Sequence, residues 1–124
     1  MIAEGPPSRV LEQAIDGRIE LLLPIFVLDE LGRILTDKLG FDNDHVRNTR
    51  RLLERIAFSQ PNRPNHVAAV TGDPSDDAIL ACAIHAGADI LVTGDKKHLL
   101  PFGTHRGVRI LTPQGLLADL RAND

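Results

Sequence analysis

Apolar positions along the chain switch repeatedly between helical spacing and short continuous runs. Val10, Leu11, Ala14 and Ile15 recur at helical spacing after Pro6-Pro7-Ser8, until Gly17 stops the pattern. Arg18–Leu23 (RIELLL) reads as a buried strand. Pro24 suits the first turn of a helix whose apolar face is Val27, Leu28, Leu31, Ile34 and Leu35. A third helix is predicted from Asp42–Asp44 to about Phe58, burying Val46, Leu53, Ile56 and Ala57. Ser59–His66 is rich in turn formers and reads as a loop, followed by a short strand over Val67–Val70.

Asp73-Pro74-Ser75-Asp76 combines a cap, a first-turn proline and an acid three residues on, which marks a helix start. That helix carries Ile79, Leu80, Ala83 and Ile84 and ends at Gly87. Asp89–Thr93 (DILVT) has the near-continuous apolar run of a parallel strand buried on both faces. A turn-rich stretch with a short helical piece comes next. Val108–Leu111 then reads as the last strand, and Thr112-Pro113 caps the last helix. Alternation of this kind predicts an α/β fold, a three-layer parallel sheet with helices on both faces, in a single domain over residues 1–124.

Composition narrows the function classes. The net charge is −3, which argues against a simple electrostatic nucleic-acid binder but not against a nuclease, because bound cations invert the sign of an acidic site. Four Phe are the only aromatics, so RNA would be held through its phosphates and not by base stacking. Cys82 is the single cysteine, which excludes an intrachain disulfide and a cysteine-rich zinc site; its small-residue surroundings predict an inert, packed thiol. No run approaches the roughly 18 apolar residues of a membrane span, and no signal sequence is evident, so the expected location is the cytoplasm.

Candidate chemistry lies beyond the carboxyl ends of the predicted strands, where sites form in such sheets. Asp73, Asp76 and Asp77 follow Val67–Val70, and Asp95 follows Asp89–Thr93. One helix plus one parallel strand separates Asp77 from Asp95, which brings both to the same sheet edge. Glu30 joins Val27, Leu31 and Ile34 on an otherwise apolar stripe, where a carboxylate needs a partner such as a metal ion. Clustered carboxylates with a divalent cation make a hard, oxygen-rich site that suits Mg²⁺ or Mn²⁺ and activates water against a phosphodiester. The structural alternative is that Asp73 is simply a helix cap and that Asp76 and Asp77 favour the positive helix end.

Read together, DPSDDAILA (Asp73–Ala81) and AGADILVTGD (Ala86–Asp95) resemble the C-terminal signature of PIN domains, in the branch described as toxins of toxin–antitoxin pairs. GPPSRVLEQAIDGRIELLLPIFVLDELGRIL is similar to that branch's second segment, and the likeness runs from about Gly5 to Leu120. The resemblance implies a Mg²⁺- or Mn²⁺-dependent ribonuclease with acids from four places. Glu30 matches the second, Asp76 or Asp77 the third and Asp95 the fourth, with Thr93 orienting the last. Lys97 stands where some relatives carry a further acid. Relatives begin with a strand ending in Asp-Thr-Asn, whose Asp is a central ligand. Met1–Gly5 corresponds to sequence already past that strand, so the fold is expected to lack its first, central strand.

From this follow further expectations: a metal-binding pocket shared by Glu30, Asp95 and at least one of Asp76 and Asp77, weak or absent nuclease activity, and weak Mg²⁺ binding in this form. An RNA substrate, an antitoxin protein and homo-oligomerisation are the implied partnerships, with no membrane. The gap left by the strand is expected to close by direct pairing or to be filled by a second subunit. Arg47, Arg51 and Arg55, with Arg50 beside them, form either an RNA-guiding ridge or a solvated helix face. The five His show no ligand spacing, and His85 is expected near the core. A non-catalytic interaction module and a phosphatase-like hydrolase are the alternatives; the latter lacks an Asp-x-Asp motif on any predicted strand.

Overall fold

The computed structural model describes residues 6–94 and 97–123. In chain order the helices are α1 (Pro6–Ile15), α2 (Ile25–Asp37), α3 (Asn43–Ile56), α4 (Pro74–His85) and α5 (Pro113–Ala122). The strands are β1 (Ile90–Val92), β2 (Thr104–His105) and β3 (Val108–Leu111), with a short 3-10 turn at Leu100–Phe102. Capping fixes several of these starts. Asp42 accepts from the His45 N–H at 2.8 Å at the head of α3, and the Thr112 hydroxyl accepts from the Gly115 N–H at 2.9 Å at the head of α5. Pro24 occupies the N-cap of α2, one residue before its expected first-turn place. The α3 helix ends at Ile56, short of Phe58, which is 67% exposed.

The sheet order is β1-β3-β2. β1 and β3 run parallel with Leu91 opposite Ile110, whereas β2 and β3 run antiparallel. The sheet is therefore mixed, which corrects the all-parallel expectation. The reason is the tight turn at Arg106-Gly107, where φ is 49° and 85°. Two successive positive φ values close a two-residue hairpin and place β2 back along β3. Such a turn usually announces itself as Asn-Gly, so Arg-Gly left little trace in the sequence.

Two segments expected as strands are not. Arg18–Leu23 makes only an isolated parallel bridge, Leu22 opposite Ser59, with the Leu23 N–H donating to the Ser59 carbonyl at 3.0 Å. A strand needs a ladder longer than one bridge, and the far side of this segment faces a cavity. Val67–Val70 forms no strand either, because the backbone amides of Val70 and Thr71 both donate to the Asp77 carboxylate. Their donors are spent on a side chain and not on a neighbouring strand. Residues 1–5, ahead of α1, lie outside the described residues, and among the described residues no second strand lies beside β1 on the side away from β3.

Alternate residues of β1 pack in different places, as a strand's period of two requires. Ile90 and Val92 pack against Val10 of α1 and Leu116 and Leu117 of α5. Leu91 packs with Leu80 of α4, Leu99 and Ile110. Among the described residues, Leu80, Leu99 and Val108 are the largest fully buried side chains. No helix among the described residues is long and apolar enough to cross a membrane.

Candidate metal centre

The first turn of α4 is built by three aspartates with three different jobs. Asp73 holds an extended backbone at the N-cap, and its carboxylate accepts from the N–H groups of Ser75 at 2.9 Å and Asp76 at 3.0 Å. Pro74 follows at the first helical position, where the missing N–H costs nothing. The structural reading of Asp73 as a cap therefore holds, and both of those bonds go to one carboxylate oxygen, Oδ1.

Asp77 is buried, 8% exposed, and faces back into the preceding loop. Its Oδ1 accepts from the Thr71 N–H at 2.7 Å, the Val70 N–H at 3.0 Å and lies 2.8 Å from the Thr71 hydroxyl. Backbone donation from Thr71, then from Val70, then the Thr71 hydroxyl, holds this carboxyl below its ordinary range, against the opposing effect of burial. The Thr71 hydroxyl is also 3.0 Å from the Asp73 carbonyl, so its single proton serves one acceptor at a time. Asp77 thus ties the 70–73 loop to the helix that follows it.

Asp76 turns the other way. Its side chain is 13% exposed, and its Oδ2 lies 3.5 Å from Nδ1 of His98, itself 29% exposed. Asp73, Asp76 and His98 each offer a ligand atom within 4.8 Å of the other two. His98 is carried there by its neighbour: Leu99, only 1% exposed, is packed against Leu80 of α4 and Ile110 of β3. Burying Leu99 holds its neighbour His98 at the head of α4.

The remaining sequence-predicted residues are placed as follows. Glu30 is exposed on α2 and accepts from Arg33, with Nη2 to Oε2 at 2.5 Å; it is not a member of the cluster found among the described residues. One turn of helix supplies its partner, so its place on the apolar stripe needs no metal. Thr93 is half-buried at the end of β1, with its N–H donating to the Leu111 carbonyl at 2.9 Å. Asp95 lies outside the described residues, and Lys97 is exposed. On α3, Arg50 pairs with Asp29 at 2.6 Å and Arg47 pairs with Asp44. Cys82 is buried, and that burial pushes its thiol up from the ordinary range, as befits an inert side chain. His85 is exposed in the last turn of α4, not near the core, because it falls on the side of the helix away from Leu80.

Sequence reasoning missed His98. The clues available were Asp95 three residues before it in the sequence and its place a few residues beyond the carboxyl end of β1.

The donor set fits a divalent cation. Two carboxylates and an imidazole suit Mn²⁺, and oxygen donors with waters suit Mg²⁺. Donor atoms within 4.8 Å of one another must draw in to about 3 Å for adjacent positions, or about 4.2 Å for one opposite pair, to share a Mg²⁺ octahedron. A positive charge there also relieves the repulsion between Asp73 and Asp76. A family model described as PIN domain matches residues 1–97 of the chain. No curated protein and no solved structure matches it.

Proposed function

From the chain's membership of the PIN-domain family, we propose that it is a divalent-metal-dependent endoribonuclease whose metal is held at the head of α4. The observation that carries this reading is the convergence of Asp76, Asp73 and His98 on one small volume at the carboxyl end of β1. Of the two adjacent acids, Asp76 is the ligand and Asp77 the support, because Asp77 Oδ1 is already engaged by three donors. The resemblance implies Asp95 as a further acid of this site, three residues before His98 in the sequence. Thr93, its backbone held by its bond to the Leu111 carbonyl, stands where the resemblance gives an orienting hydroxyl.

When bound, Mg²⁺ or Mn²⁺ supplies charge neutralisation and an acidified water for in-line attack on an RNA phosphodiester. The chain's own residues do the rest. Asp73 and Asp76 hold charge at a helix N-terminus whose dipole favours it. His98, beside Asp76, supplies the imidazole of the donor set. The resemblance implies Glu30 as a further acid; in this reading it joins only if its pair with Arg33 opens. The three-layer sheet, the toxin–antitoxin context and a cytoplasmic location belong to the same proposal.

The second reading is a PIN-like interaction module that docks an antitoxin or itself without cleaving RNA. The ion pair that occupies Glu30 favours it. Incubating the pure protein with single-stranded RNA and either Mn²⁺ or Mg²⁺ decides between them. Weak cleavage, stronger with Mn²⁺ and lost in Asp76→Asn and Asp95→Asn, is the expected result. Cleavage that survives both substitutions overturns the assignment, and none under any metal favours the docking module.

A further inference from the structure

Ahead of α4 the chain reverses at Gly72, where φ is 86°, a left-handed conformation that glycine adopts without strain. The turn brings the half-buried Thr71 within reach of Asp73, two residues on. The Thr71 hydroxyl accepts from the Asp73 N–H at 3.1 Å, and it lies 3.0 Å from the Asp73 carbonyl and 2.8 Å from Asp77 Oδ1. A hydroxyl has one proton to donate and lone pairs with which to accept. Of its two acceptors the ionised Asp77 carboxylate is the nearer and the stronger, so the proton goes mainly there. Three groups are thus joined in series: the Asp73 N–H donates to Thr71, and the Thr71 O–H donates to Asp77.

The loop does not need this hydroxyl to stay tied to the helix. The backbone amides of Val70 and Thr71 already reach Asp77, at 3.0 and 2.7 Å. What the hydroxyl adds is the link from Asp77 to Asp73. With it, Asp73 is held at every polar group but one. Its N–H goes to Thr71, its carbonyl accepts from the Asp77 N–H at 2.9 Å, and its Oδ1 accepts from Ser75 and Asp76. Among the described residues nothing donates to Oδ2, which leaves that oxygen for an ion shared with Asp76 and His98.

Mg²⁺ tolerates little deviation from ideal geometry, so a carboxylate fixed beforehand binds it better than one that must be ordered by the ion. We propose that Thr71 is a positioning residue of the metal centre, whose hydroxyl couples the buried Asp77 to Asp73 and so fixes the Asp73 carboxylate for a divalent cation. Thr71 itself touches neither ion nor substrate. The inference rests on the metal reading of the head of α4.

Mn²⁺ titration of the metal-free protein, read from the electron paramagnetic resonance signal of the free ion, tests it. Thr71→Val removes the hydroxyl at nearly constant shape and should weaken Mn²⁺ binding by roughly tenfold or more. Thr71→Ser keeps the hydroxyl and should bind like the parent. In an Asp73→Ser background Thr71→Val should cause little further loss, because the carboxylate through which it acts is already gone. Circular dichroism shows that each variant is folded at the temperature of the titration. A folded Thr71→Val variant that binds Mn²⁺ like the parent overturns the proposal. So does a loss that serine fails to rescue, or one that is undiminished without Asp73. Amide hydrogen exchange on the parent needs no variant: the Asp73 N–H should exchange slowly, and exchange at the rate of an open loop amide overturns the series of bonds. Mn²⁺ binding that Asp76→Asn leaves unchanged overturns the metal reading and this inference with it. Binding lost in Asp76→Asn but kept in Thr71→Val overturns the inference alone.

Discussion

Asp73 carries two roles that substitution can separate. As the N-cap of α4 it accepts from two backbone N–H groups, at 2.9 and 3.0 Å, which would otherwise be orphans of the first turn. Replacing Asp73 with Ala should therefore cost about 1 kcal/mol, within the usual range of about 0.5–2 for a lost cap. At the average unfolding entropy per residue, that is a fall of about 4 °C in Tm for a domain of this size. Asp73→Ser keeps a capping oxygen and should lose no more than a few tenths of a kcal/mol. Metal binding should split differently. Both variants lose a carboxylate from the cluster with Asp76 and His98, so both should bind Mn²⁺ more weakly by roughly tenfold or more. Thermal unfolding with and without Mn²⁺, beside a calorimetric titration, reads both effects. A serine variant as unstable as the alanine one would refute the cap account. A serine variant that binds Mn²⁺ like the parent would remove Asp73 from the metal site.

Other outcomes follow from the same geometry. Asp77 is held below the ordinary carboxylate range in the folded state, so its stabilising contribution is present above the unfolded value and is lost as pH falls through the folded one. Asp77→Asn should lower stability at neutral pH and flatten the acid limb of a stability-versus-pH curve; an unchanged acid limb counts against the three-donor bond set. Leu80→Ala removes a side chain only 2% exposed beside Leu99 and Ile110, and should cost about 2–5 kcal/mol by denaturant unfolding, loosening His98 as well. Arg106→Asn converts the hairpin turn to Asn-Gly and relieves a positive φ of 49°, so Tm should rise by an amount equivalent to as much as about 1 kcal/mol. A fall in Tm would mean that Arg106 makes a contact worth more than the turn strain.

Much was determined by the sequence alone, where the signal is local. The caps at Asp42, Asp73 and Thr112, the run ILV at β1 and VRIL at β3, and the helical spacing of Leu28 and Leu35 all depend on neighbours within a turn or two. The family likeness was legible for a related reason, since DPSDDAILA and VTGD place acids next to strand and helix ends that local patterning already marks. The tertiary structure decided what depends on distant partners. Whether Arg18–Leu23 becomes a strand rests on a ladder that its own residues cannot supply, and only Ser59 offers one bridge. Asp76 and Asp77 are chemically identical in sequence. One helical residue, about 100° of rotation, sends Asp77 into the loop amides and Asp76 toward His98. His98 itself joins the site through the burial of Leu99 against α4 and β3, a contact between segments far apart in the chain that no local pattern encodes.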